Sequence, residues 1–361
     1  MSKPASPLNR RQLLACGIVT AGAGISIGSA AMRHPATGPR LQATAGKRFR
    51  VLMLTYRGTT DVDLGFQNHL NEAGLNVEFT VRDVQQDTSR IAAILDEIPA
   101  LSPDLIYTWG TPVTLAVAGT VEYPNPHPAL RNIPVVFAMV ADPQKAGIVK
   151  TLKSPERNVT GAIHVVPLER QLQHMRSYRE FDKLGVLYNA AEANSQAVIQ
   201  GLQQYGQRNG KQVLASPLQQ SEDGKPTTEG LESLIEQLHS DGAQWLYLPP
   251  DTFLGTIYER ITPLSMARKL PLFASTELAM RTGNALTGLV SRYYSVGQLA
   301  GAKAADILRG QKTVQQTTVE SLKRFSLMVN MQMAQQLELY PPLPLLNYAE
   351  VVAIKAGAAA S

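Results

Sequence analysis

The sequence contains few of the residues that build catalytic and metal sites. Only one of its 361 residues, Cys16, is a cysteine, so the body of the chain has no disulfide framework, thiolate zinc site or cysteine nucleophile. Its six histidines show no close ligand spacing. The HExxH motif and the P-loop are absent, and the one GxSxG string, at 24–28, lies inside an N-terminal segment with the pattern of an export signal. We therefore expect no catalytic residues, no metal and no cofactor.

A concentrated basic surface is missing as well. The chain has 34 basic and 29 acidic residues, a net charge of +5, but residues 1–31 hold three of the bases and no acid. The remainder is close to neutral, whereas neutralising several phosphates needs a concentrated basic face, so no nucleic-acid partner is expected. Hydrophobic residues make up 44% of the sequence, and its length allows two domains with cores of their own.

The first 31 residues have the pattern of an export signal. Paired arginines, Arg10 and Arg11, precede an uncharged stretch from Gln12 to Ala31 that is rich in Gly, Ala and Ser. This pattern is typical of a twin-arginine (Tat) signal peptide, and it predicts a periplasmic protein. A membrane anchor at the N-terminus and the general secretory route stay open as alternatives. Residues 32–47 are expected to form a flexible leader.

The rest of the chain repeats one pattern of elements. Strand-like RVLMLTY at 50–56 is followed by a helical segment that Asp61 could cap, and further strands and helices alternate with it. The same order recurs from Lys183, about 130 residues later. Two successive βαβαβ units predict an α/β fold with two doubly wound parallel-sheet, Rossmann-like lobes.

Parallel sheets bind ligands beyond the carboxyl ends of their strands, so the loops there supply the candidate residues. For a ligand carboxylate we expect Thr111 and the pair Asn194 and Ser195, which lie where helices begin and offer unpaired N–H groups. Each of these residues could instead only cap its helix.

An ammonium group would need an acid. Asp251 is the first choice, with Thr252 beside it, and Asp142 and Glu277 are alternatives; a turn or helix-capping role is open for each acid.

Aromatic residues near the strand ends could support a ligand side chain. The candidates are Tyr56, Trp109, Tyr293 and Tyr294, although Trp109 is expected to belong to the core. Adjacent residues of an extended segment point to opposite sides, so only one of Tyr293 and Tyr294 can line a cleft, and we select Tyr294.

Four segments resemble a known family. DPQKAGIVKTLKSPERNVTG at 142–161, NAAEANS at 189–195, LYLPPDT at 246–252 and GLVSRYYSVGQLAGAKAADILRG at 288–310 resemble ABC-transporter substrate-binding proteins of the TrpX type. The resemblance implies a periplasmic-binding-protein fold of the first type, with two lobes joined by three crossovers. It also implies a small ligand, often an aromatic or other amino acid, that is handed to a permease.

We expect the lobes to divide the chain at definite boundaries. These are residues 48–160 plus 284–315 for the first lobe, 161–283 plus 316–345 for the second, and 346–361 for a C-terminal tail.

The favoured hypothesis is an exported monomer that captures an amino acid or related zwitterion between its lobes and delivers it to an ABC permease and ATPase complex. A sensor that presents the closed form to a membrane receptor, or an exported enzyme of similar fold, are the alternatives. A sugar-responsive repressor would need a helix-turn-helix where this chain has the export pattern.

The export signal gives a first test. Changing Arg10 and Arg11 to Lys should leave the protein in the cytoplasm, because the twin-arginine pattern depends on both guanidinium groups. Cell fractionation followed by immunoblotting measures this, with Lys3→Arg as the control that keeps the charge and the pair. Unchanged export of the double variant would contradict the twin-arginine assignment.

Overall fold

The computed structural model describes residues 46–352. The expected signal peptide at 1–31 lies outside the described residues, as do most of the expected leader and residues 353–361 of the tail. Within the described part, no helix combines the length and the apolar character that a membrane crossing requires.

Thirteen strands and twelve helices alternate along the described residues. The strands are β1 (Phe49–Thr55), β2 (Val77–Asp83), β3 (Leu105–Trp109), β4 (Val135–Val140), β5 (Val159–Ile163), β6 (Lys183–Tyr188), β7 (Gln212–Pro217), β8 (Trp245–Leu248), β9 (Leu272–Ala274), β10 (Thr287–Val290), β11 (Glu320–Ser321), β12 (Ser326–Asn330) and β13 (Glu350–Val352). The helices are α1 (Asp61–Glu72), α2 (Ile91–Asp96), α3 (Ile98–Leu101), α4 (Gly110–Ala118), α5 (Leu168–Tyr178), α6 (Ala193–Asn209), α7 (Leu231–Ser240), α8 (Leu254–Ala267), α9 (Glu277–Arg281), α10 (Tyr293–Leu308), α11 (Met331–Gln336) and α12 (Leu343–Leu346).

The strands form two sheets, which define the two lobes. The first sheet has the order β11-β5-β4-β3-β1-β2, and with α1 to α4 and α10 it makes the first lobe. The second has the order β13-β12-β10-β9-β8-β6-β7, and with the remaining helices it makes the second lobe. Neighbouring strands are parallel except β10 and β12. The predicted α/β class, with two parallel-sheet lobes and three crossovers, is confirmed.

The crossovers follow β5, β10 and β11. Two of these strands, β10 and β11, belong to the lobe opposite to the one expected for them. The expectation put 284–315 in the first lobe, but β10 pairs with β9 and β12 in the second sheet. It put 316–345 in the second lobe, but β11 pairs with β5. Because short strands such as ALTGLV at 285–290 carry no pattern that distinguishes one sheet from the other, the sequence could not assign them.

Local sequence explains how the first helix begins. Thr60 is its N-cap, and the Asp63 carboxylate accepts hydrogen bonds from both the backbone N–H and the hydroxyl of Thr60 at 2.7 Å. Asp61, the expected cap, is instead the first helical residue. This capping box fixes the position where the chain leaves β1 and turns beneath the cleft.

Helices α1 and α10 of the first lobe pack so closely that glycine is required between them. A Cβ atom on Gly297 would lie 1.9 Å from the Val62 carbonyl oxygen and 2.8 Å from the Phe66 nitrogen. Both neighbours are backbone atoms, which cannot rotate away as a side chain can. The helices would therefore have to separate to admit even a methyl group.

Gly297→Ala should destabilise the protein. Overpacking costs about 1 to 3 kcal/mol, and more where backbone must move, which outweighs the helix propensity gained from alanine. Urea unfolding followed by circular dichroism measures the loss. Gly201→Ala in α6 is the control, because its Cβ would meet only the flexible end of Leu168 at 3.0 Å. Equal stability of the two variants would contradict this account.

Candidate functional site

A small polar pocket lies between the lobes, at the carboxyl ends of both sets of parallel strands. Its volume is about 30 Å³, room for roughly two water molecules. The first lobe contributes the residues Arg57, Trp109, Thr111, Met139 and His164. The second lobe and the second crossover contribute Glu192, Asn194, Pro250, Asp251, Thr252, Tyr258, Thr276, Leu278 and Tyr293.

A larger cavity of about 530 Å³ adjoins this polar pocket. The two share four lining residues, which are Arg57, Trp109, Leu278 and Tyr293. The other residues that line the cavity are Thr60, Asp61, Glu277, Met280, Arg281, Thr282, Glu350, Val351 and Val352. The polar pocket and the cavity are therefore two neighbouring parts of one cleft, of which only the cavity has the volume of an ordinary small-molecule site.

Arg57 is the cation at the boundary between the polar pocket and the cavity. It follows β1, and its guanidinium lies over the Trp109 ring at 4.9 Å from the ring centroid. The other neighbour of Trp109 is Tyr56, whose ring stacks on it at 5.7 Å and 11°. No carboxylate within residues 46–352 lies within 4.0 Å of the Arg57 guanidinium. Arg57 was not among the residues expected at the site, whereas the neighbouring Tyr56 was.

Two carboxylates from the second lobe face the same pocket. Asp251 accepts hydrogen bonds from three residues: the N–H of Asn189 at 2.8 Å, the Ser195 hydroxyl at 2.6 Å and the N–H of Leu254 at 2.9 Å. It thereby joins the loops after β6 and β8. Burial raises the pKa of Asp251, although these donors oppose the shift.

Glu192, at the start of α6, is the second carboxylate. It accepts hydrogen bonds from the N–H of Thr252 at 2.9 Å and from the Thr252 hydroxyl. No basic group within residues 46–352 forms a salt bridge with it. Burial, and then the negative charge of Asp251, raise the pKa of Glu192 well above the usual value of a glutamate. Glu192 was not among the expected site residues, although the loop after β6 that carries it was.

Asn194 presents an unused acceptor to the polar pocket. Its side-chain N–H donates to the Pro250 carbonyl oxygen, and this contact fixes the orientation of the amide. The Oδ1 atom is buried and has no partner within the described residues. Because an unpaired buried acceptor costs about 1 to 3 kcal/mol, this atom favours a ligand that brings a donor.

Thr111 lies in the first turn of α4, on the opposite wall of the pocket from Asn194. It is 3% exposed, and the helix has no side-chain cap. First-turn N–H groups have no intrahelical partner, so they favour a negative group at this wall.

Among the other predicted residues, Thr252 lines the polar pocket, whereas Ser195, Asp142 and Tyr56 lie outside it. Ser195 is fully buried beneath it and binds Asp251, and Thr252 reaches the pocket through its contacts with Glu192. Asp142 occupies a turn in which it accepts a hydrogen bond from the N–H of Lys145 at 3.0 Å. Tyr56 packs behind Trp109 without lining the cleft.

Glu277 is engaged by two arginines. Its Oε1 atom lies 2.7 Å from both Arg281 and Arg292, and Oε2 accepts a hydrogen bond from the N–H of Tyr293 at 2.6 Å. Arg292 also reaches Glu350 of β13 at 2.9 Å. This network joins the second crossover to the edge of the second sheet, and its charges are balanced without a ligand.

Tyr293, rather than Tyr294, lines the cleft. The expectation assumed an extended segment, but residues 293–308 form α10, and the Tyr294 hydroxyl accepts a hydrogen bond from Asn68 at 3.1 Å. Trp109 belongs to the hydrophobic core, as expected, and it also lines the cleft.

His164 is the histidine of the polar pocket. Burial lowers its pKa to about 4, so it is neutral at pH 7, and its Nδ1 atom has no partner within the described residues. No group of three or more His, Cys, Asp or Glu side chains in that part of the chain is arranged to hold a metal ion.

Comparison with known proteins gives a family match and related structures. The family described as ABC transporter substrate binding protein has a sequence model that matches residues 53–353. The tyrosine-binding protein of Clostridioides difficile (strain R20291) is 26% identical over 271 residues, which cover 74% of this chain and 73% of that protein.

Two solved structures show the same fold. The ABC domain in complex with L-Trp from Streptococcus pneumonia is 22% identical, with a TM-score of 0.72, and the match covers 85% of this chain and 100% of that one. A ligand-free, open substrate binding protein with adhesive properties from Clostridium difficile is 23% identical, with a TM-score of 0.65 and the same coverage of both chains. These matches confirm the resemblance identified in the sequence.

The uncompensated carboxylate gives a prediction for the ligand-free protein. Because the folded-state pKa of Glu192 is raised, its contribution to stability is lost as the pH rises from the unfolded value near 4.3 through the raised one. Glu192→Gln should therefore raise the melting temperature at pH 7, by the equivalent of roughly 1 to 3 kcal/mol, and flatten the decline of stability between pH 5 and pH 8.

Scanning calorimetry across that range measures both effects. Glu259→Gln, at an exposed position of α8, is the control and should change neither. A lower melting temperature for Glu192→Gln than for the wild type at pH 7 would show that the carboxylate stabilises the empty pocket, contrary to the prediction.

Proposed function

This chain belongs to the ABC transporter substrate-binding protein family, and from that premise we propose that its substrate is an amino acid with an aromatic side chain. The observation that carries the proposal is the distribution of charge across the cleft. The first lobe supplies a cation without an acidic partner, Arg57, and the second supplies a buried carboxylate without a basic partner, Glu192. A zwitterion brings the missing partner for each.

The ammonium group of the ligand fits the second lobe. Glu192 offers a carboxylate and Asn194 an unpaired amide oxygen, both on the wall of the polar pocket. An ammonium ion has three donors, so it can bind both groups at once. We assign the ammonium to Glu192 in preference to Asp251 and Glu277, because Glu192 accepts hydrogen bonds from Thr252 alone. Asp251 accepts hydrogen bonds from three residues, and Glu277 is paired with two arginines.

The carboxylate group of the ligand fits the first lobe. The Arg57 guanidinium can bind both carboxylate oxygens, and the free N–H groups at the start of α4, next to Thr111, add donors from the same lobe. Each charge-assisted hydrogen bond contributes about 1.5 to 3 kcal/mol, so two or three of them account for a large part of the affinity.

The side chain of the ligand is assigned to the larger cavity. Its volume of about 530 Å³ is ample for an aromatic group, and Trp109 and Tyr293 form its boundary with the polar pocket. The names of two relatives agree with this choice, since one is a tyrosine-binding protein and the other holds L-Trp.

Capture requires the lobes to move, since the polar pocket holds only about 30 Å³. In this structure the lobes touch: the Lys145 side chain of the first donates to the Ala197 carbonyl oxygen of the second at 3.2 Å. A related protein without ligand is open. The ligand would therefore enter an open form and be enclosed when the lobes close, and no bond is made or broken.

The remaining assignments follow from this role. We propose that the protein is exported to the periplasm by its N-terminal segment, acts as a monomer without enzymatic activity, and delivers its ligand to an ABC permease and ATPase complex. The closed form, with ligand in contact with both lobes, is the form that the permease would recognise.

Calorimetric titration of the purified protein tests the proposal. L-Tyrosine, L-tryptophan or L-phenylalanine should bind, whereas their N-acetyl derivatives and carboxamides should bind at least about tenfold more weakly, because each loses one charge. Arg57→Gln should weaken binding of the free amino acid by roughly 10- to 100-fold but should leave the carboxamide unaffected.

Arg131→Gln, which changes an exposed arginine away from the cleft, is the control. Binding of the N-acetyl derivative as tightly as the free amino acid would contradict the role of Glu192, and failure of all three amino acids to bind would overturn the substrate class.

A further inference from the structure

A glycine of the second lobe contacts the ligand-binding arginine of the first. Gly255 lies in the first turn of α8, and a Cβ atom on it would be 3.2 Å from Nη1 and 3.6 Å from Nη2 of Arg57. Its backbone φ is not in the left-handed region, so the local chain conformation does not require glycine here. Glycine in a helix costs about 0.5 to 1 kcal/mol relative to alanine, and this position bears that cost where a side chain would meet Arg57.

The backbone of Gly255 is held by the same loop that forms the polar pocket. Its N–H donates to the Asp251 carbonyl oxygen at 3.1 Å, and the N–H of Leu254 donates to the Asp251 carboxylate at 2.9 Å. Thr252, which binds Glu192, lies between Asp251 and Leu254 in the chain. The surface on which the guanidinium rests is therefore fixed relative to the proposed ammonium site.

We propose that Gly255 is a positioning residue for ligand capture: its missing side chain lets the Arg57 guanidinium cross the cleft and pack against α8 when the lobes close. The inference rests on the proposed function and adds a residue that touches no ligand. The contact between Gly255 and Arg57 couples ligand binding to closure of the lobes. The guanidinium that binds the ligand carboxylate is also the group that the second lobe contacts on closure.

The nature of the contact separates its effect on binding from its effect on folding. The atoms nearest to the absent Cβ are the far ends of flexible side chains, Arg57 and, at 3.2 Å, Leu278. They can shift by a few tenths of an ångström at little cost to the fold. The same shift displaces the guanidinium from the carboxylate, and hydrogen bonds weaken steeply with poor geometry. In the open form the lobes are apart, so the added methyl group meets no arginine.

The test is a double-mutant cycle between Gly255→Ala and Arg57→Gln, with binding of L-tryptophan and L-tyrosine measured by calorimetry. Gly255→Ala alone should weaken binding roughly tenfold and leave the melting temperature of the ligand-free protein unchanged or slightly higher. In the Arg57→Gln background the same change should have less than about a twofold effect.

Gly201→Ala is the matched control. It also places a methyl group against the end of a flexible side chain, but Leu168 and Gly201 belong to the same lobe. This variant should bind both amino acids like the wild type. An equal loss of affinity from Gly255→Ala in both backgrounds, or no loss in either, would overturn the proposal.

A second measurement follows closure directly. Small-angle X-ray scattering should give a smaller radius of gyration for the wild type with saturating L-tryptophan than without it, and a smaller decrease for Gly255→Ala, because only the closed form contains the clash. Failure of the wild type to bind either amino acid would count against the proposed function alone. A decrease in the variant equal to that of the wild type would count against the role of Gly255.

Discussion

The chain buries a carboxylate at the edge of one sheet without giving it a cation in the same lobe. Ionising a buried carboxyl group without a partner is costly, and near Glu192 the negative charge of Asp251 adds to that cost, so the pKa of Glu192 is raised until a cation arrives. The cation of the cleft, Arg57, belongs to the other sheet and packs on Trp109 instead. This separation of charge makes the empty cleft incomplete, and a ligand with both charges completes it.

Other buried charges of the same fold are paired with opposite charges inside the protein. In contrast to Glu192, these charges have a structural role. Glu277 has two arginines, and Lys303 is held by Glu320 at 2.7 Å between α10 and β11. Both arrangements lie where the chain passes from one lobe to the other, and neither needs a ligand. Asp251 keeps its charge and is stabilised in a different way, by three hydrogen-bond donors that join the loops after β6 and β8. Glu192, which accepts hydrogen bonds from Thr252 alone and has no cation in its own lobe, is the acid best placed to bind the ligand.

The sequence determined the fold and the location of the cleft better than the identity of the side chains in it. Alternating apolar strands and helices identified both parallel sheets, and the rule for strand ends led to Thr111, Asn194 and Thr252, which all line the polar pocket. The sequence did not distinguish Glu192 from Asp251, because the number of donors that reach each acid depends on residues such as Ser195 and on how two loops pack. Arg57 was not predicted for a similar reason. Whether an arginine at a strand end has an acidic partner depends on how the other lobe packs against it.

The division of opposite charges between lobes also explains how a ligand can drive closure. A ligand held wholly by one lobe would gain nothing from the approach of the other, so it would bind the open and closed forms equally and shift no population. When the ligand carboxylate binds Arg57 of the first lobe and the ammonium binds Glu192 of the second, the ligand makes both contacts only in the closed form. With each charge-assisted hydrogen bond contributing about 1.5 to 3 kcal/mol, the contacts made on closure match the few kcal/mol that separate such conformations. The fold thus converts recognition of a zwitterion into a change of shape.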